Sequence, residues 1–323
     1  MSSTRFQIRL FDSVAADRDL QLAEISSLQL RDDQLLWIDV CPPHSSLAAL
    51  WSELELPDAA LRFVTSGSSP ALESAGTTFW LRVVAVSDHA QGALAGAVLG
   101  IAADRNRVVT VHAEAIDFID AAWSREDAGT TLGRLPAESF VASLLDAQLT
   151  TYFSAAAAYE KSIDAIEHEI LSGNTASGLA ELRRLRQWAS RFRRMLAPHR
   201  TVFGAMSRPD FSPSDSELAD RHFAAIDTRF ERAMDVAENT RELVLGSFEL
   251  FSSQTALQTN QRMKALTFVT VITGALATLV GIMGMNFEAG FFETADRGFW
   301  IAIGGLATVT VAALWVGRWQ KWF

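Results

Sequence analysis

Hydrophobic positions change their spacing twice along this chain. Up to about residue 130 they come in short runs rich in β-branched and aromatic residues: Phe6 to Phe11, Leu35 to Val40, Thr78 to Val86, Ala97 to Ala102 and Arg107 to Val111. Runs of that length and composition predict strands, and Asp104-Arg105-Asn106 between the last two predicts a hairpin turn. From Pro136 to Leu171 and from Ala176 to Met206 the spacing becomes helical. A third, longer helix is announced by the Pro- and Ser-rich turn Ser207 to Ser216, in which Ser214 and Glu217 have capping-box spacing. No proline follows Pro213, and up to Asn286 only Gly246, Gly274, Gly281 and Gly284 are poor helix formers. The pattern predicts one nearly continuous helix of about 70 residues, roughly 100 Å long.

The end of that helix changes character. Ala265 to Phe287 runs 23 residues without a charge, and Gly298 to Gly317 runs another 20. At about 1.5 Å of rise per residue each covers roughly 30 Å, the thickness of a bilayer's hydrocarbon core. Phe287, Phe291, Phe292, Phe299 and Trp300 crowd the connection, and Trp315, Trp319, Trp322 and Phe323 crowd the far end, as interfacial aromatic belts do. Arg262 and Lys264 precede the first span and Arg318 and Lys321 follow the second, so both termini are expected in the cytoplasm. Met1 to Gln7 lack the apolar stretch of a signal peptide, in keeping with a cytoplasmic N-terminal part. The expectation is a multi-pass protein of the cytoplasmic, inner membrane.

The predicted fold class is an α+β cytoplasmic domain, a mixed sheet plus helices, followed by a very long stalk helix and two transmembrane helices. The expected divisions are an α/β domain over 1–135, stalk helices over 136–212, and a long helix over 213–287 whose part from about 265 is the first span. An outer loop over 288–297, a second span over 298–317 and a basic tail over 318–323 complete the layout.

Composition sharpens this. The 323 residues carry 28 Lys and Arg against 38 Asp and Glu, a formal charge of -10, which argues against nucleic acid as a partner and for cations. From Ala265 onward Glu288, Glu293 and Asp296 cancel Arg297, Arg318 and Lys321, so the whole excess of acid belongs to residues 1 to 264. The single cysteine, Cys41, excludes an internal disulfide and a thiolate-rich metal site. No phosphate-cradling glycine loop appears, so coupling to ATP is not expected. His44, His89, His112, His199 and His222 are scattered and show no metal-protease spacing; the chain reads as a non-enzyme with no covalent cofactor. Arg183, Arg184, Arg186, Arg191, Arg193 and Arg194 read as a solvated face pairing with neighbouring acids.

Alternating steps of three and four along the first span place Asn260, Met263, Thr267, Thr270, Gly274, Ala277, Gly281 and Gly284 on one small or polar seam. Two readings fit such a seam, close helix packing and a pore lining. Two spans in one chain cannot enclose a hole, so a pore requires several copies around an axis. At the outer end stands Met283-Gly284-Met285-Asn286-Phe287, and upstream Asn260-Gln-Arg-Met263-Lys264-Ala-Leu266-Thr267.

Gly284-Met285-Asn286 closing the first of two C-terminal spans, with that upstream stretch in register, resembles the CorA family of divalent-cation channels and transporters. The resemblance covers the whole layout, from acidic head to basic tail, and implies a CorA-like funnel: a homopentamer in the lipid bilayer with the first span lining the pore and Gly284, Met285 and Asn286 as its filter. It places a hydrophobic constriction at Met263 and Leu266 and a polar ring at Asn260. A ring of neutral carbonyl dipoles from Asn286 and Gly284 suits a hydrated Mg2+ ion, which gives up its water reluctantly. Glu288, Glu293 and Asp296 repeated around a ring would concentrate cations at the outer mouth; solubility of an exposed loop is the alternative.

This chain departs from the family's pattern at Gly274, Ala275 and Ala277, where a bulky residue, a proline and a threonine are usual, and in the outer loop. A familiar sensor position falls on Ala225. Glu249 matches an acidic stalk position, and Glu160, Asp164, Glu167 and His168 form an acidic face at helical spacing, a second candidate for a regulatory metal or simply a hydrated surface. The resemblance implies transport of Mg2+, with Co2+ or Ni2+. A Zn2+ carrier like the ZntB branch, proton-coupled, is the alternative within transport, and Met195-Leu196-Ala197-Pro198 and the Trp-rich tail are compatible with it. A non-conducting metal sensor or scaffold is the alternative of another class.

Overall fold

The computed structural model describes residues 5–26, 28–41, 46–88, 94–124, 135–173, 178–211, 213, 216–284 and 295–319. It divides into two compact units, Met1–His168 with Ser177–Ser247, and Glu169–Ala176 with Phe248–Phe323.

The first unit is built on a seven-stranded sheet of order β2-β1-β3-β7-β6-β5-β4. Its strands are β1 (Arg5–Asp12), β2 (Arg18–Asp19), β3 (Gln34–Cys41), β4 (Ala71–Ala75), β5 (Thr78–Asp88), β6 (Ala95–Asp104) and β7 (Arg107–His112). Among the described residues only β3 and β7 pair in parallel; the other neighbours are antiparallel. The expected mixed sheet is therefore present, with all five strand runs in place. The expected hairpin closes as a two-residue turn: Asp104 pairs with Arg107, and Arg105 takes a φ of 38°, the left-handed conformation such tight turns demand.

Alternation along the strands divides the sheet into two buried faces. Ile8, Leu10, Leu36, Ile38, Val40, Val109 and Val111 join Leu47, Leu50 and Trp51 of α2 (Ser46–Glu53) and Ala60 and Val64 of α3 (Asp58–Thr65) in one core. Helix α3 lies close because β6 offers Gly100: a Cβ there would come within 2.7 Å of Val64. On the other face Trp37 stacks on Trp123 of α4 (Asp117–Ser124) at 4.4 Å between centroids and meets Phe140 of α5 (Ala137–Leu171) edge-on at 5.2 Å. A short α1 covers Leu22–Ile25.

Helix α5 pairs with α6 (Gly178–Leu196) through Tyr159, which stacks on Trp188 and donates its hydroxyl to Leu185 O. The helix expected from Ala176 to Met206 is not continuous. Pro198 lacks an N–H and clashes in a helix interior, so α6 stops at Leu196, a 3-10 turn covers Ala197–His199, and α7 resumes over Arg200–Met206. The arginines of α6 include members paired as expected: Arg184 with Glu181, and Arg193 with Glu238 at 2.9 Å.

Helix α8 runs without interruption over Glu217–Met283. Its cap is Ser216, whose Oγ accepts from Ala219 N at 3.4 Å, rather than Ser214, which lies outside the described residues. The second unit contains the far part of α8, with α9 (Ala295–Trp319), two residues longer than the charge-free segment at its C-terminal end and three at its N-terminal end.

Candidate ion pathway

Both apolar segments pass the length and composition test for crossing a membrane. Within their most apolar 18-residue windows only 6% and 0% of residues are buried. A core helix of a soluble protein would hide these residues; here Val271, Val311 and Ile301 are each more than 60% exposed. Phe299 and Trp300 stand at one end of α9, and Trp315 stacks on Trp319 at the other, the rings 6.0 Å apart. The two aromatic groups are separated by roughly 23–30 Å of helix, the spacing of the two interfaces of a bilayer.

The membrane part of α8 has two unlike faces. Phe268 is buried, and Ile272, Leu276 and Met283 are half-buried; on α9 Gly298 and Gly317 are buried, and Ala302, Leu306, Thr310 and Ala313 half-buried. These are the faces the protomer itself covers. The seam formed by Asn260, Met263, Thr267, Thr270, Gly274, Ala277, Gly281 and Gly284 is exposed at every position, as is Leu266. At about 100° per residue its centre lies roughly 170° around the helix from the covered face.

Small residues in membrane helices commonly let another backbone approach. Yet a Cβ built on Gly274 or Gly281 meets nothing within 4 Å, so no contact inside the protomer, among the described residues, requires a glycine there. At the N-terminal end of the apolar stretch Met263 and Leu266 expose 56% and 62% of their surface, apolar groups that none of the described residues shelters. The last turn of α8 closes with Gly284 N donating to Val280 O at 3.0 Å. Met285, Asn286, Glu288 and Glu293 lie outside the described residues, as does the side chain of Asp296, whose backbone is in the first turn of α9.

Glu160 and Glu167 are half-buried, Asp164, His168 and Glu249 exposed. Glu167 accepts a hydrogen bond from Ser247 Oγ at 2.7 Å, a neighbour on α8 that spacing along α5 could not reveal. Among the described residues no group of three or more His, Cys, Asp or Glu side chains is placed to hold a metal ion. Glu160, Asp164, Glu167 and His168 thus lie along α5 as their spacing places them, with Glu167 bonded within the chain.

What sequence reasoning missed lies inside the sheet unit. His112 is buried between Asp39, whose carboxylate its Nε2 meets at 3.1 Å, and Glu114 O, which faces Nδ1. Both ring nitrogens face acceptors, so the geometry suits a doubly protonated ring. Burial lowers its pKa, but the Asp39 carboxylate and the Glu114 carbonyl outweigh it and the net shift is upward. His199 is the opposite case: Nε2 accepts from Val84 N at 2.9 Å and Nδ1 faces Leu196 O at 3.0 Å, the pattern of a neutral ring. Burial pushes its pKa down to about 4. With Tyr152 Oη and Gln148 Nε2 donating to Val84 O, it satisfies the part of β5 that extends past its β4 partner. The signal was Met195-Leu196-Ala197-Pro198: the break at Pro198 is what turns His199 toward the strand.

Comparison with known proteins adds to this geometry. The family described as CorA-like Mg2+ transporter protein matches residues 32–318. The cobalt/magnesium transport protein CorA of Methanocaldococcus jannaschii is 21% identical over 96% of this chain and 98% of its own. That of Thermotoga maritima is 28% identical over 47% of this chain, so the match spans less than half, 43%, of that relative's length. The divalent cation transporter CmaX of Pseudomonas aeruginosa is 29% identical over 50% of this chain and 48% of its own. Among solved structures, the complete CorA magnesium transporter from Methanocaldococcus jannaschii superposes with a TM-score of 0.75 at 19% identity, covering 100% of both chains. Full-length CmaX gives 0.70 at 21% identity, covering 98% of this chain and 97% of its own. The cytoplasmic domain of ZntB from Vibrio parahaemolyticus gives 0.59 at 10% identity, covering 78% of this chain and 98% of its own. At these identities the superpositions speak to fold; the extent of the family match identifies the chain as a member of the CorA-like Mg2+ transporter family.

Proposed function

We propose that this chain forms a homopentameric pore of the cytoplasmic membrane that carries divalent cations, Mg2+ first and Co2+ or Ni2+ with it. The observation that carries the reading is the exposed seam of α8, set roughly opposite the face the protomer covers and holding glycines that its own packing does not need. Copies arranged around an axis would turn those seams inward and leave the covered faces outside. Met263 and Leu266 would then narrow the cytoplasmic end to an apolar neck that closes by excluding water, with Asn260 as a polar ring beside it. Gly284, Met285 and Asn286 would form the outer filter, where neutral dipoles accept hydrogen bonds from a hydrated ion without stripping it. Glu288, Glu293 and Asp296 would gather cations at the mouth.

Both termini and the acidic head are placed in the cytoplasm, and the ion moves down its own electrochemical gradient, without ATP and without a catalytic step. Glu249 remains the candidate acidic position of the stalk. Flux into liposomes holding the purified chain, compared across Mg2+, Co2+, Ni2+ and Zn2+, tests the reading. Mg2+ flux is expected, and Asn286→Ala is expected to lower it about tenfold, the factor of one lost hydrogen bond of roughly 1.4 kcal/mol. Pentamers with unchanged flux after that substitution would remove the filter assignment. Zn2+ flux coupled to pH without Mg2+ flux would make the chain a ZntB-like carrier, and no flux of any divalent ion would leave a sensor or scaffold.

A further inference from the structure

Strand β7 ends at His112, whose buried imidazole is held from two sides. Nε2 faces both carboxylate oxygens of Asp39, at 3.1 and 3.2 Å, and Nδ1 faces Glu114 O. The two acceptors differ in how far they can move. Asp39 belongs to β3, which is paired with β1 on one side and β7 on the other. Its carboxylate also accepts from Thr110 Oγ1, which itself accepts from Trp37 Nε1 at 3.0 Å. Glu114 belongs to no strand: Ala113, Glu114 and Ala115 form an exposed link from β7 to α4. Just beyond the link Ile116 is buried, and its carbonyl starts the helix by accepting from Ile119 N and Asp120 N.

We propose that His112 is a pH latch on α4: the doubly protonated ring ties the start of that helix to the sheet, and loss of one proton releases it. A neutral imidazole keeps a single N–H. That hydrogen stays on Nε2, where the acceptor is charged and its strand cannot withdraw it. Nδ1 then sets a lone pair against Glu114 O, and of two acceptors face to face the one on the free link yields. Burial works against the charged ring, but Asp39 from β3 and Asp120 from α4, the acids acting on it, favour the latched form. Leu99 of β6, paired with His112, brings no charge, and Arg9 of β1 is engaged by Asp19 and by Trp123 O. What the latch holds is a wall. Ile116, Asp117 and Phe118 line a cavity of about 600 Å3 whose other side is α5, where Asp146 and Thr150 are both bonded to Arg229. The far end of α4 is held separately by the stack of Trp123 on Trp37, so release at its start frees the wall without detaching the helix.

The test is amide hydrogen exchange of the full-length protein in detergent, followed by mass from about pH 6 to about pH 9.5 and corrected for the intrinsic rise of exchange with pH. Protection of α4 is expected to begin falling above 6.5, the ordinary value for histidine, by up to about tenfold per pH unit, and to level off beyond the raised value the ring has in the fold. Protection of β6, paired on both sides, is expected to exceed that of α4 throughout. In His112→Gln, which does not titrate, the protection of α4 is expected to be independent of pH. Asp39→Asn keeps the ring and removes its charged acceptor; there the fall should be smaller and end at lower pH, a result that decides the matter even where the glutamine variant does not fold. Constant protection of α4 up to about pH 9.5 in the unaltered protein would overturn the latch, as would an undiminished fall in either variant. Equal protection of α4 and β6 at every pH would also overturn it, because the ring would then titrate only with unfolding of the whole sheet unit.

Discussion

Leucine and valine mean opposite things in the two units of this chain. In the sheet unit Leu99, Val108 and Val109 are 0% exposed, closed in by helices of their own chain. In the second unit Val271 and Val311 are 63% and 66% exposed, within the charge-free runs 265–287 and 298–317. The polar groups reverse as well. The sheet unit buries Asp39, His112, Gln148 and His199 and gives them hydrogen-bond partners, whereas the membrane part of α8 turns the exposed Thr270 and Thr278 hydroxyls back on its own carbonyls. The first unit carries its apolar solvent inside itself; the second is built to be dissolved in one. Burial within a single chain therefore reports packing in one unit and the identity of the surroundings in the other.

The largest effect that separates them comes from Trp37, which is 1% exposed and stacked on Trp123. Trp37→Ala is expected to cost the sheet unit about 3–5 kcal/mol by loss of burial and by the cavity left behind. Denaturant unfolding of the detergent-solubilised chain measures it, and the fraction of protein resisting alkaline extraction from membranes is expected to stay unchanged. The converse substitution is Val311→Arg. Val311 lies on the side of α9 away from its covered face, so the guanidinium would enter lipid at a cost of about 2.5–3.5 kcal/mol. Membrane insertion should fall while unfolding of the sheet unit is untouched. If Val311→Arg instead destabilises the sheet unit and inserts normally, the second unit is not a membrane hairpin.

The same contrast explains what the sequence made legible. Strands β1, β3, β5, β6 and β7 are readable because each carries a short run of apolar residues that the fold largely buries. Strand β4 was not, since Ala71–Ala75 is an edge strand whose later residues are exposed and carry no pattern. The long α8 was readable from its lack of proline, but its cap was misplaced by two residues because Ser214 and Ser216 are chemically alike and only the hydrogen bond to Ala219 distinguishes them. The seam was visible because a face shared along one helix is a matter of period alone. Partners across helices are not: Ser247 reaching Glu167, or His199 reaching Val84, requires knowing which elements touch. Histidine is the residue on which sequence reading was weakest, because the same side chain has its pKa raised beside Asp39 and lowered beneath Val84.

Those two histidines give the smallest effects and the sharpest signs. His199 has its pKa pushed from 6.5 down to about 4 by burial. Between those values the unfolded chain binds a proton at this residue and the folded chain does not, so its contribution to stability is complete above 6.5 and is lost as pH falls toward 4. At pH 5 the loss is about 2 kcal/mol relative to neutral pH. His112, with its pKa raised, acts in the other direction: its contribution is complete below 6.5 and is lost as pH rises through the folded-state value. Carboxylates also titrate at low pH, so the measurement is a difference. Unfolding free energy is followed from pH 7.5 to 4.5 for the unaltered chain and for His199→Gln, whose amide oxygen can still accept from Val84 N. The variant should start less stable and lose less on acidification, by about 2 kcal/mol at pH 5. Parallel curves would mean that His199 is not held neutral in the folded chain.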